Sequence, residues 1–237
     1  MSKFYIIFLA FLFSIKIAFG QVVVTNPGNT TPNLAATYTT LANAISALNG
    51  VTAITGPVVI TLNPGNPQTT PIGGYSINYS ATATVVNNIR IDGGGNTITA
   101  YSPQASGSYT DAIFKIIGSD YLTLENFVLQ ENPLNNKISN STNNMTEWGV
   151  ALLVNNQING AQHNTIRNNT ISLDKTYQNT FGVYSNTSHA PNNISVDKQV
   201  LNGTAAPNHY NKIYSNYISN VNMGITIIGS SNPQYMD

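Results

Sequence analysis

The sequence of 237 residues has no cysteine and few charged residues of either sign. Without cysteine, no disulfide framework can form. Lys and Arg together number 9, as do Asp and Glu, so the chain lacks the basic excess that binds nucleic-acid phosphates. Charged residues make up 8% of the chain, against about 25% in an average globular domain. We therefore expect no nucleic-acid partner and a surface made polar by uncharged groups.

Asparagine and threonine take the place of the missing charges. The sequence has 35 Asn and 26 Thr, and the strong helix formers are correspondingly scarce. This composition disfavours a helical bundle. Hydrophobic residues still make up 41% of the chain, in short β-branched runs that can bury a core. The composition therefore predicts an all-β fold.

The first twenty residues have the pattern of an export signal. Lys3 precedes the apolar run Phe4–Ile15, and Ala18 and Gly20 supply small residues before a cleavage point. Lys16 ends the run well short of the roughly 20 apolar residues that a membrane span needs. We therefore predict a signal peptide at residues 1–20, a secreted or outer-surface location, and no membrane span in the mature chain.

Residues 21–56 are predicted to form a lead-in and a capping helix. Leu41, Ala44, Ile45 and Leu48 follow helical spacing, which predicts a helix over Tyr38–Asn49 whose start can be capped by Thr39 or Thr40. A single amphipathic helix of this kind can cover the exposed edge of a stack of strands.

Residues 57–237 contain two repeated patterns of irregular period. The first aligns Leu124, Ile166 and Ile213, each followed five residues later by Leu129, Ile171 or Ile218. The second is a bulky apolar residue, a glycine and a β-branched residue, as in Trp148–Val150, Phe181–Val183 and Met223–Ile225. Short strands with uneven spacing favour a right-handed parallel β-helix, a solenoid, over a β-sandwich of regular 8–12-residue period. We expect both aliphatic columns to be buried.

Three segments resemble secreted right-handed parallel β-helix repeat proteins of Bacteroidetes type. They are ATYTTLANAISALNGVTAITGPVVITLNPG, HNTIRNNTISL and YNKIYSNYIS. The resemblance implies export, stacked coils and, in many members, a C-terminal sorting domain. It also predicts that this chain is an N-terminal fragment, incomplete at its C-terminus, with further coils or a sorting domain in the full-length protein. On activity the resemblance is nearly silent, because the fold hosts both enzymes and binding proteins.

Candidate ligand-binding residues are Tyr121, Glu125, Arg167 and Tyr214. Glu125, Arg167 and Tyr214 occupy the same position in successive repeats, which predicts that they are neighbours. They present either a ligand-facing surface or a structural ion pair. Exposed tyrosines beside Asn and Thr suit the stacking of sugar rings, although they can equally serve as structural cover.

The function expected from these features is binding or adhesion, with a polysaccharide or cell-surface glycan as partner and no catalysis in this chain. The alternative is a polysaccharide lyase or glycoside hydrolase whose catalytic residues lie partly outside the chain. Its nine acidic residues are scattered, although stacked coils can bring distant residues together. No cofactor or metal is predicted, except calcium if the lyase alternative holds.

Overall fold

The computed structural model describes residues 21–30, 33–105, 109–136, 144–187, 189 and 207–229. The predicted signal peptide and residues 230–237 lie outside this described part. The described residues form one α-helix and 17 strands, in agreement with the predicted all-β class. Within them, no helix is long and apolar enough to cross a membrane.

The helix α1 spans Leu41–Asn49. The strands, in chain order, are β1 (Val22–Thr25), β2 (Thr37–Tyr38), β3 (Val58–Leu62), β4 (Gln68–Thr69), β5 (Tyr75–Ile77), β6 (Ile89–Asp92), β7 (Thr97–Thr99), β8 (Ala112–Ile117), β9 (Leu122–Glu125), β10 (Val128–Gln130), β11 (Trp148–Leu153), β12 (Thr165–Arg167), β13 (Thr170–Ser172), β14 (Phe181–Asn186), β15 (Lys212–Tyr214), β16 (Tyr217–Ser219) and β17 (Met223–Ile228).

The strands form three sheets, none of which is closed. Sheet 1 has the order β15-β12-β9-β6-β3-β1-β2, sheet 2 the order β16-β13-β10-β7-β4, and sheet 3 the order β17-β14-β11-β8-β5. The pairings of β1 with β2 and with β3 are antiparallel, and the other pairings are parallel. From β3 onward, successive strands visit sheets 1, 2 and 3 in turn.

The register confirms the repeat alignment read from the sequence. Ile166 pairs with Leu124 on one side and with Ile213 on the other, and Ile171 pairs with Leu129 and Ile218 in the same way. The first four of the six predicted core side chains, at positions 124, 129, 166 and 171, are buried. Ile213 and Ile218 are only half-buried, contrary to the prediction, because no described strand follows β15 or β16 in its sheet.

The helix covers the first strands of the stack, but it is shorter than predicted. It begins at Leu41 because the Thr40 side chain caps it by accepting a hydrogen bond from Asn43 N at 3.1 Å. At its other end, Asn49 donates to Ser76 O and accepts from Asn78 N. The Asn49 amide thus occupies the free edge of β5 as a strand neighbour would.

Asparagine has two separate roles at the turns between sheets 1 and 2. Asn126 and Asn168 adopt the left-handed conformation, with φ of 60° and 55°, which Asn tolerates better than most residues. The following residue, Asn169, links successive repeats: its Oδ1 accepts from Phe127 N, and its own N–H donates to Asn216 Oδ1, both at 3.0 Å. The asparagine excess therefore has a structural cause.

Candidate ligand-binding face

The outward face of sheet 1 carries most of the charged side chains that lie on strands. Alternation along β6 and β9 turns Ile89, Ile91, Leu122 and Leu124 into the core. The residues between them, together with their counterparts on β12 and β15, lie on the opposite face: Arg90, Asp92, Thr123, Glu125, Thr165, Arg167, Lys212 and Tyr214.

Glu125 lies at the centre of an ion-pair network on this face. Its Oε1 accepts from Arg90 Nε and its Oε2 from Arg167 Nε, while Arg90 Nη2 contacts Asp92 Oδ2 at 2.7 Å. The Glu125 side chain is 2% exposed, against 39% for Arg90 and 36% for Arg167. Both oxygens of Glu125 are engaged, so neither can take part in proton transfer without the loss of an ion pair.

Tyr214 extends this network to the next strand. Arg167 Nη1 donates to the Tyr214 hydroxyl at 3.0 Å, in the predicted register. The hydrogen bond that Arg167 donates to Tyr214, followed by the one that it donates to Glu125, raises the pKa of Arg167. The structure therefore brings together Glu125, Arg167 and Tyr214 as the sequence predicted, and it adds Arg90, which the sequence analysis missed.

A ladder of aromatic rings borders the same face at the turn that precedes each strand. Tyr121, His163 and Tyr210 all have positive φ, of 54°, 55° and 58°. Tyr121 stacks on His163 at 4.5 Å between ring centroids, and His163 stacks on Tyr210 at 4.8 Å. These distances match the spacing of adjacent strands. Because stacked neighbours cover each other's faces, the ladder offers a ligand mainly ring edges, hydroxyl groups and an imidazole.

A groove of about 350 Å³ lies between the ladder and the charged network. Its lining contains three cationic side chains and no acidic one: Val85, Asn88, Arg90, Tyr121, Thr123, His163, Thr165, Arg167, Tyr210 and Lys212. Of the four residues predicted to bind ligand, Tyr121 and Arg167 line this groove. Glu125 lies beneath the guanidinium groups, and Tyr214, which is 45% exposed, holds Arg167 from the next strand.

A second cluster of ionisable groups is buried near β8 and β11. Glu147 Oε2 accepts hydrogen bonds from Thr110 N at 3.0 Å and Asp111 N at 2.8 Å. Glu147 and Asp111 are 0% and 3% exposed. Burial first, and then the charge of Asp111, raises the pKa of Glu147 to about 9. Burial also raises the pKa of Asp111 to about 7, against the opposing effect of Lys115.

This carboxyl cluster was not predicted, because the repeat patterns in the sequence do not align Asp111 with Glu147. Asp111 and Lys115 border a cleft of about 290 Å³, and burial lowers the pKa of Lys115. Aromatic side chains of Trp148, Phe181 and Tyr184 pack over the same side of sheet 3. Burial therefore favours the protonated form of Glu147 at neutral pH.

Among the described residues, no three His, Asp or Glu side chains lie close enough together to hold a metal ion. His163 is engaged in the aromatic ladder, and Asp120 Oδ1 accepts a hydrogen bond from Gln162 N at 2.7 Å. Comparison of the chain with family models, curated proteins and solved structures finds no match in any of the three.

Proposed function

We propose that the chain is a right-handed parallel β-helix, a solenoid capped by α1, and that it binds glycans outside the cell. The solenoid is supported by the way in which every sheet recruits one strand from each repeat. The chain returns to the same turn after 42 residues between β9 and β12, and after 47 between β12 and β15. Parallel pairing in all three sheets, with apolar side chains stacked inside, is what such a coil requires.

The groove on sheet 1 is the observation that carries the binding function. It is a concave, solvent-open surface that combines threonine side chains, amide and guanidinium donors and aromatic edges. The donors and hydroxyl groups suit the hydroxyls of a carbohydrate, and the ring edges add apolar contact. In sheet 3, by contrast, the strands β8, β11 and β14 are buried on both faces over their described lengths.

Export to a secreted or outer-surface location is proposed from residues 1–20, whose pattern is that of a cleaved signal. The proposed partners are a polysaccharide or a cell-surface glycan. No cofactor is needed for binding of this kind.

Catalysis by a lyase or hydrolase is the second candidate, and the Asp111–Glu147 cluster favours it. Two carboxyl groups whose environments raise their pKa values by different amounts are typical of acid–base pairs. Burial opposes this candidate, since a substrate would have to reach groups that are at most 3% exposed. Only the lyase form would call for calcium.

The binding proposal is tested by filling the floor of the groove. The purified chain is titrated with polygalacturonate, alginate and xylan by isothermal calorimetry. Thr165→Met adds an uncharged, non-aromatic side chain to the floor, and we expect it to abolish binding. Thr170→Met is the matched control, because Thr170 has a comparable position on β13 in sheet 2. Absence of binding to all three polymers, or equal loss in both variants, contradicts the proposal.

A further inference from the structure

We infer that the groove on sheet 1 selects an acidic oligosaccharide, held through carboxylate or sulfate groups and lying across the strands. This inference rests on the proposed glycan-binding function and specifies its ligand class. The first observation is the sign of the lining: Arg90, Arg167 and Lys212 border the groove, and no acidic side chain does.

The acids that balance two of these cations lie beneath them. Glu125 is almost completely covered, and the Asp92 side chain is 14% exposed. A ligand on this face therefore meets guanidinium groups before it meets carboxylates. Arg90 donates from Nε to Glu125 and from Nη2 to Asp92. Arg167 donates from Nε to Glu125 and from Nη1 to Tyr214. Since guanidinium has five N–H donors, each arginine keeps donors for a ligand anion.

Lys212 is the cation without a compensating acid. Its side chain is exposed, and among the described residues it makes no ion pair within 4.0 Å. The Arg90, Asp92, Glu125 and Arg167 charges sum to zero, so Lys212 gives the face a net positive charge. A charged group in this position attracts anions and is free to form a charge-assisted hydrogen bond with one.

The register fixes the direction in which the ligand lies. Arg90 pairs with Thr123, Thr123 with Thr165, and Thr165 with Lys212, so the four side chains form one row across four strands. Three strand spacings place the two cations about 14 Å apart, with threonines between them. That distance exceeds a single sugar. It fits an oligosaccharide with acidic groups near both ends of the row.

Binding of three polymers separates this inference from the proposed function. The probes are polygalacturonate, the same polymer with its carboxyl groups reduced to alcohols, and a sulfated galactan. We expect the two acidic polymers to bind and the reduced polymer to bind at least tenfold more weakly. Affinity for the acidic polymers is expected to fall as salt is raised. A preference between carboxylate and sulfate identifies which of the two groups the site takes.

Lys212→Gln tests the residue that carries the net charge, and Lys175→Gln is the matched control, since Lys175 is exposed but outside the groove. Loss of one charged hydrogen bond is expected to raise Kd for acidic polymers about tenfold in the first variant only. Equal binding of acidic and reduced polymers, or no effect of Lys212→Gln, overturns the anionic inference and leaves glycan binding intact. Absence of binding to every polymer overturns both.

Discussion

The buried carboxyl of Glu147 should make the protein less stable as the pH rises through neutrality. An ordinary glutamate has a pKa of 4.5, whereas burial beside Asp111 raises that of Glu147 to about 9. Between these values the folded state holds a proton that the unfolded state has released. Stability that depends on a raised carboxyl pKa is complete below the unfolded pKa and is lost as the pH approaches the folded one. The sign is opposite to that of a carboxylate in a salt bridge.

The size of the effect follows from one proton per molecule. One proton bound only in the folded state changes the free energy of unfolding by about 1.4 kcal/mol per pH unit. From pH 5.5 to 7.5, Glu147 therefore accounts for a loss of up to about 3 kcal/mol. Asp111, with a pKa raised to about 7, adds a loss of the same sign over the lower part of this range. His209, whose pKa burial lowers, acts in the opposite direction.

Urea unfolding followed by circular dichroism at pH 5.5, 6.5 and 7.5 measures this dependence. Glu147→Gln keeps an oxygen for Thr110 N and Asp111 N but does not titrate, so its pH slope should be shallower by about 1.4 kcal/mol per unit. Asp174→Asn, in a surface turn, is the control that should keep the wild-type slope. Equal slopes for wild type and Glu147→Gln would refute the reasoning.

Three further outcomes are expected. Ile166→Ala should lower the free energy of unfolding by about 2–5 kcal/mol, and the half-buried Ile213→Ala by clearly less; equal losses in urea unfolding would contradict the stacked core. Gly182→Ala would put Cβ 2.4 Å from a methyl group of Ile218, so its melting temperature should fall, whereas Gly224→Ala, with nothing within 4 Å, should be nearly neutral. The chain should release no unsaturated products or new reducing ends from pectins, alginates or neutral glycans, with or without calcium; products that Glu147→Gln abolishes would establish the enzyme alternative.

The register of the later parallel strands was predictable because the same types of residue recur at equivalent positions in successive repeats. Leu124, Ile166 and Ile213 align in sequence as they do in the sheet. The glycine of the second pattern was visible too, and the structure supplies its cause: a Cβ at Gly149 would lie 2.6 Å from the Gly182 carbonyl oxygen. The repeats before residue 120 were not aligned, although Ile91 pairs with Leu124 and Ile98 with Leu129. Ile98 follows Ile91 by seven residues instead of five, because the turn between β6 and β7 is longer.

The candidate site was only half predictable, for a geometric reason. Glu125 and Arg167 share a position in a recognised repeat, so their contact followed from the alignment. Arg90 belongs to a repeat that was not recognised, and its contact with Glu125 was therefore missed. Asp111 and Glu147 are the residues that immediately precede β8 and β11, two neighbouring strands of sheet 3. No residue pattern marks such positions, because the connections that set them differ in length from repeat to repeat.

Connection length also explains why the groove forms on sheet 1. The last three links from sheet 1 to sheet 2 are two residues long, at 126–127, 168–169 and 215–216, and the earlier links at 63–67 and 93–96 are five and four residues long. Links this short leave the outward face of sheet 1 uncovered. The connection from β10 to β11 is much longer, at residues 131–147, and its end brings Glu147 onto Asp111. The three middle strands of sheet 3, β8, β11 and β14, are buried on both faces, whereas β17 is largely exposed. Arg90, Glu125, Arg167 and Lys212 lie together on the outward face of sheet 1, although the chain has few charged residues. A purely structural role does not explain Lys212, which makes no ion pair among the described residues.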